Sequence, residues 1–118
     1  MPETVVVEGE ILLPPEMTPV TPVSIRVEVE DISRADMPSE VVGQQSISTR
    51  QLQGGAAIPF EIAVPANAIN EQRLYSVRAH IAMSDSGEIE RGDYITMQSY
   101  PVLTRGYGHR VTIAVRRV

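Results

Sequence analysis

The chain has 118 residues and a formal net charge of −5, with no cysteine, no tryptophan and arginine as its only strongly basic residue type. Lacking Cys and Lys, it cannot form disulfides, thiol nucleophiles, cysteine-held zinc or iron–sulfur sites, lysine Schiff bases or a phosphate-loop lysine. The acidic balance, with no arginine cluster interleaved with aromatics, argues against nucleic acid as a partner.

The length predicts a single domain over 1–118, able to bury roughly two thirds of the surface its unfolded chain exposes. No apolar run approaches a membrane span, and Met1-Pro2-Glu3-Thr4 lacks the basic start and apolar core of a signal peptide.

Thr4 to Leu13 alternates as a first strand and stops at Pro14-Pro15. The proline-rich 14–22 segment reads as an extended connector. In Pro22 to Asp31, Val23, Ile25, Val27 and Val29 share one face, with Ser24, Arg26, Glu28 and Glu30 on the other, the period of a strand with one wet side. The acidic phrase Asp31 to Asp36 leads into a turn at Pro38. Glu40 to Thr49 is more polar and reads as an edge strand, followed by a flexible Gln53-Gly54-Gly55.

Ala57 to Val64 is the next strand, and Pro59 places it at an edge or falls among the strand's first residues. A single helical turn is expected near 66–72. Leu74 to Ser84 has the regular alternation of a central strand, with Tyr75, Val77, Ala79, Ile81 and Met83 on one face. A hairpin turn at Asp85-Ser86-Gly87 should return through Glu88 to Arg91 and on from Tyr94 to Val102, with a break at Gly92-Asp93. After a 101–108 loop, Arg110 to Val118 closes the chain, Val111, Ile113 and Val115 inward. Seven to eight short strands with turn signals between them predict an all-β, two-sheet antiparallel sandwich of immunoglobulin or transthyretin type. Its core should consist of Val, Ile and Leu around Phe60 and Tyr75.

Charge divides unevenly. Residues 1–59 hold nine acids and three arginines, a net of −6, and residues 60–118 hold six acids and seven arginines, a net of +1. No acid follows Asp93. Either acidic and basic strands pair across a sheet, or a basic edge meets an acidic partner.

Leu13-Pro14-Pro15, the run from Val27 to Asp36, Ile58-Pro59-Phe60-Glu61-Ile62, Tyr75-x-Val77-x-Ala79-x-Ile81 and Pro101 to Gly106 together resemble the YbaY/YscW group of small bacterial envelope lipoproteins. That resemblance implies a β-sandwich held on the periplasmic side of the outer membrane by a lipidated cysteine. It also implies a protein partner, which for one branch is a type III secretion secretin that the protein serves as pilotin. This sequence has no lipobox and no cysteine, so membrane contact would need an anchor outside it.

The candidate chemistry is sparse. His80 and His109 have no metal-binding spacing, and no nucleophile elbow accompanies them. Arg91-Gly92-Asp93 matches an integrin-type tripeptide, better explained by a bend at Gly92. Glu28, Glu30, Asp31 and Asp36 could offer oxygens to calcium, but they lack a calcium-loop spacing. The expectation is therefore a non-catalytic, protein-binding or chaperone-like envelope module with no catalytic, cofactor or metal residues. Its partner-binding candidates are Arg34, Asp36 and Arg105, and its binding edges are the 40–49 and Pro59 strands. A pilotin is the more specific alternative. A small β-sandwich hydrolase is the alternative from another class, although the chain lacks the histidine cluster and the Tyr-Arg-Gly-Ser terminus of transthyretin-like hydrolases.

Overall fold

A computed structural model describes residues 3–33 and 36–118. The strands are β1 (Thr4–Leu12), β2 (Ser24–Asp31), β3 (Glu40–Ile47), β4 (Ala57–Pro65), β5 (Tyr75–Ala82), β6 (Tyr94–Ile95), β7 (Pro101–Val102), β8 (Arg110–Ala114) and β9 (Arg116–Arg117). The sole helical piece among the described residues is a 3-10 turn at Ala66–Ala68, inside the stretch where one was expected.

Two sheets pack face to face. The smaller runs β4-β1-β8, and the larger runs β3-β2-β5-β6-β9, with β7 also paired to β5. The alternating strands explain the core. Val7 and Ile11 of β1, Ile25, Val27 and Val29 of β2, the even residues 58–64 of β4, and Tyr75, Val77, Ala79 and Ile81 of β5 are all buried between the sheets. Each fully buried aliphatic side chain stabilises the fold by roughly 1.5–3 kcal/mol. This core therefore dominates the favourable side of folding.

Several expectations need correction. β1 and β8 run parallel, Glu8 opposite Arg110 through Leu12 opposite Ala114, so the sandwich is not wholly antiparallel. The chain then crosses at Val115 from the small sheet to the large one, where β9 pairs with β6. Three of the nine strands are two residues long, which accounts for the higher count.

The return limb also differs. Residues 88–91 form no strand, because Asp93 folds back to accept hydrogen bonds from Met83 N–H and Glu90 N–H and closes 83–93 as a loop. Beyond it the limb forms ladder pairs with β5 at β6 and β7, extended by backbone bonds from Thr96 N–H to the Ala79 carbonyl and from Val77 N–H to the Tyr100 carbonyl. Between them Thr96 Oγ1 accepts from Ala79 N–H, and Ser76 Oγ accepts from Tyr100 N–H, so side chains replace part of the ladder.

Val23 is 52% exposed and precedes β2. The wet face of β2 also fades at its end. The β2–β3 register shifts between Val29 and Glu30, skipping Val42, and Glu30 and Asp31 are both buried.

The two expected edge strands, β3 and β4, do lie at sheet edges, but they close on each other. Gln45 Oε1 of β3 accepts a hydrogen bond from Glu61 N–H of β4 at 2.7 Å. A Cβ at Gly43 would sit 2.9 Å from the Ala63 carbonyl oxygen and 3.0 Å from methyls of Ile62 and Val64, so only glycine allows this approach. Because Glu61 N–H points away from β1, so do the backbones of 57, 59, 63 and 65. Pro59 and Pro65 have no donor to offer there.

Candidate functional site

The sequence phrases 27–36 and 101–106 converge on the segment 70–75. Asp31, at the end of β2, receives Arg73 Nη1 at 2.7 Å and Ser33 N–H at 2.9 Å. The second contact is an Asx-type turn that fixes the chain as it leaves the strand. Ser33 Oγ accepts from Leu74 N–H at 2.7 Å, and Ile32 N–H donates to the Leu74 carbonyl at 2.9 Å. From the other side, the buried Thr104 hydroxyl donates to the Arg73 carbonyl, and Arg105 Nη2 donates to the Gln72 carbonyl at 2.9 Å. Tyr75 closes the cluster, its hydroxyl accepting from Asn70 N–H at 2.8 Å and donating to the Ala68 carbonyl at 3.2 Å.

Electrostatics reinforce the pins. Burial pushes the Asp31 carboxyl up, but the hydrogen bonds from Arg73 and Ser33 outweigh it and hold the carboxyl below its usual range. The Arg73 guanidinium is raised in turn, chiefly by its hydrogen bond to Asp31. The opposing loop is held under strain: Leu103 (φ 77°) and Arg105 (φ 59°) adopt the left-handed region, with Gly106 at φ 87°.

Of the sequence candidates, Arg105 thus sits in this cluster with its guanidinium turned to a backbone carbonyl. Asp36 is exposed in the turn before β3 and forms no ion pair with a described residue. Arg34 lies outside the described residues. Asp31 and Arg73 are the residues sequence reasoning missed as a pair. The Asp31-x-Ser33 turn signal was available for the first, and no local signal pointed to the second, 42 positions away.

The four carboxylates weighed against calcium are not gathered into a site among the described residues. Glu30 faces Arg78 at 3.8 Å, Asp31 is taken by Arg73, and no group of three potential ligands occurs among the described residues. Asp93 is 1% exposed. Its Oδ1 accepts from Met83 N–H at 2.9 Å, and its Oδ2 accepts from Glu90 N–H at 3.0 Å and from His80 Nε2 at 2.8 Å. Burial pushes this carboxyl up too, but the Met83, His80 and Glu90 hydrogen bonds hold it below its usual range. The Asp of Arg91-Gly92-Asp93 is therefore inside the protein, where no integrin-type receptor reaches it. Among the described residues no hydroxyl bonds the His80 ring, so the His80–Asp93 pair lacks a nucleophile in place.

Fold and site together define a small two-sheet β-sandwich whose distinctive phrases serve to lock loops at one end. A family model described as type III secretion system lipoprotein chaperone (YscW) matches residues 2–115, and the chain belongs to this YscW family. The fold is shared with a solved structure, an alternative pilotin from the type II secretion system of Vibrio cholerae. The two have a TM-score of 0.78 and 23% sequence identity, and the match covers 98% of each chain. No curated protein matches the sequence.

Proposed function

We propose that the protein is a pilotin-like chaperone that binds the secretin of a bacterial secretion system at the periplasmic side of the envelope. The observation that carries this reading is the family relationship across residues 2–115, whose description is that of a secretion-system lipoprotein chaperone. The pilotin identity of the Vibrio cholerae protein, which has the same fold, supports it. A non-catalytic role agrees with a site whose polar side chains are engaged with backbone groups and, at Asp31 and Arg73, with each other. Asp36 and Arg105, exposed near the locked end, are partner contacts in this reading, as is Arg34.

The test is deletion of the gene in its native host, followed by fractionation and immunoblotting of the secretin. The expected outcome is secretin subunits that fail to reach the outer membrane as stable multimers, with rescue by the wild-type gene. Normal secretin multimers in the deletion strain, together with no binding of purified secretin to the protein, would overturn the proposal.

A further inference from the structure

With β3 and β4 closed on each other, the free edge of the small sheet is β8. Glu8 N–H donates to the His109 carbonyl at 2.9 Å, and Val115 N–H donates to the Leu12 carbonyl at 3.3 Å. In this parallel register residues 109, 111, 113 and 115 bond β1, while the backbones of 110, 112 and 114 point away from the sheet. The Tyr100 hydroxyl occupies Ala114, accepting its N–H at 3.0 Å and lying 3.5 Å from its carbonyl. The N–H and C=O groups of Arg110 and Thr112 bond nothing among the described residues. Two successive outward positions can bond an added strand.

The surroundings indicate what kind of strand fits. Arg110 meets a carboxylate only at Glu8, 3.5 Å away, and both side chains are exposed. Arg116, where the chain continues past β8, has no ion-pair partner among the described residues, whereas Arg117 faces away, beside Pro14, Glu16 and Tyr94. Beside the end of the edge lies a cavity of about 230 Å³ lined by Met97, Gln98, Tyr100, Ala114 and Arg116. Its lining is mixed, with Gln98 and Arg116 beside Met97 and Tyr100, so one partner side chain with a polar tip that reaches Arg116 fits here. Methionine and tyrosine can adapt to such a guest.

We infer that β8 takes up a short extended segment of a partner protein as an added strand. Its backbone pairs with Arg110 and Thr112, and an acidic side chain enters the Met97–Tyr100 cavity to meet Arg116. The positive charge of Arg116 favours this acidic segment. The inference rests on the secretin-binding reading and adds where, and with what chemistry, the partner docks.

The experiment measures amide hydrogen exchange of the full chain, free and saturated with purified secretin, alongside binding titrations of variants. Exchange at Arg110 and Thr112 should slow by about tenfold or more in the complex, the signature of new ladder bonds. Thr112→Pro removes an outward N–H that the fold does not use, so the variant should melt normally and bind at least about tenfold more weakly. Arg116→Gln should weaken binding and flatten its salt dependence, a readout that does not require the proline variant to fold. Wild-type binding with no protection at Arg110 and Thr112 and full affinity in both variants would overturn this inference and leave the secretin reading standing. Protection of the same amides by self-association, seen as a concentration-dependent dimer without secretin, would also overturn it. Absence of any wild-type binding would overturn both.

Discussion

Gln45 and Glu61 are joined by a single 2.7 Å hydrogen bond from the Glu61 backbone to the Gln45 side chain, which ties the edge strand of one sheet to the edge strand of the other. A side chain here substitutes for a missing neighbouring strand. Gln45→Ala should leave the Glu61 N–H to solvent and lower stability by about 1 kcal/mol, the usual net worth of such a bond. Urea unfolding measures the loss, and amide exchange at Glu61 should accelerate selectively.

Gly9 marks a second close approach. A Cβ built there would lie 1.6 Å from the Val111 carbonyl oxygen of β8 and 3.1 Å from the Phe60 ring. Backbone cannot yield as the tip of a side chain can, so Gly9→Ala should push β8 away from β1 at a cost of about 3 kcal/mol or more. Chemical denaturation should show the drop, and faster exchange at Val111 and Ile113 should show that the β1–β8 pair is what fails.

These two contacts also show what the sequence could not reveal. Alternation in 25–29, 58–64 and 75–81 identifies the core faces because a period of two reports directly which side is buried. Nothing local reports that β8 runs parallel to β1, since the direction of pairing is set by where a distant segment packs. The break at 88–91 was hidden for a related reason: the carboxylate of Asp93 competes with strand pairing for Met83 N–H and Glu90 N–H. At the candidate site the turn phrases were legible, whereas their meeting point at 70–75 was not. Asp31 finds Arg73, and Thr104 finds the Arg73 carbonyl, only after the sheets have formed.

Thr104 gives that meeting point a direct test. Its buried hydroxyl is the contact that holds the strained 103–106 loop to the Arg73 carbonyl. Thr104→Val keeps the shape and removes the donor, leaving a carbonyl unsatisfied, and should cost about 1–3 kcal/mol. Thermal melting reads the loss, and the Arg105 bond to the Gln72 carbonyl should loosen with it, visible as changed Gln72 and Arg73 amide shifts.

Arg73→Gln tests the other pin. Asp31 keeps its Ser33 contact but loses the guanidinium that chiefly offsets its burial. Its folded-state carboxyl should then rise toward or beyond the ordinary range. The variant should be less stable than the wild type near neutrality, and its stability should fall less steeply between about pH 4 and 2, because Asp31 is no longer depressed on folding; in an Asp31→Asn background Arg73→Gln should leave that slope unchanged.

The acid response as a whole follows from Asp31 and Asp93, both held below the ordinary carboxylate range in the folded protein. A group depressed on folding binds fewer protons folded than unfolded. Its contribution is therefore fully present above the unfolded carboxylate value of about 4, and it is lost as pH falls through the lower folded value. Stability should be flat with respect to these two groups near neutrality and decline steeply below about pH 4. Asp93→Asn separates their shares. The amide can still accept from Met83 N–H, but its NH₂ end in the Oδ2 position meets the Glu90 N–H donor against donor, while the His80 ring can change tautomer and accept. That variant should be less stable than the wild type at pH 7 by about 2–4 kcal/mol, the range for disrupting a buried charged acceptor. Its dependence on pH between about 4 and 2 should be shallower, because one depressed carboxyl no longer titrates. Urea midpoints collected across that range decide the matter: parallel wild-type and variant curves would show that Asp93 contributes nothing to the acid transition.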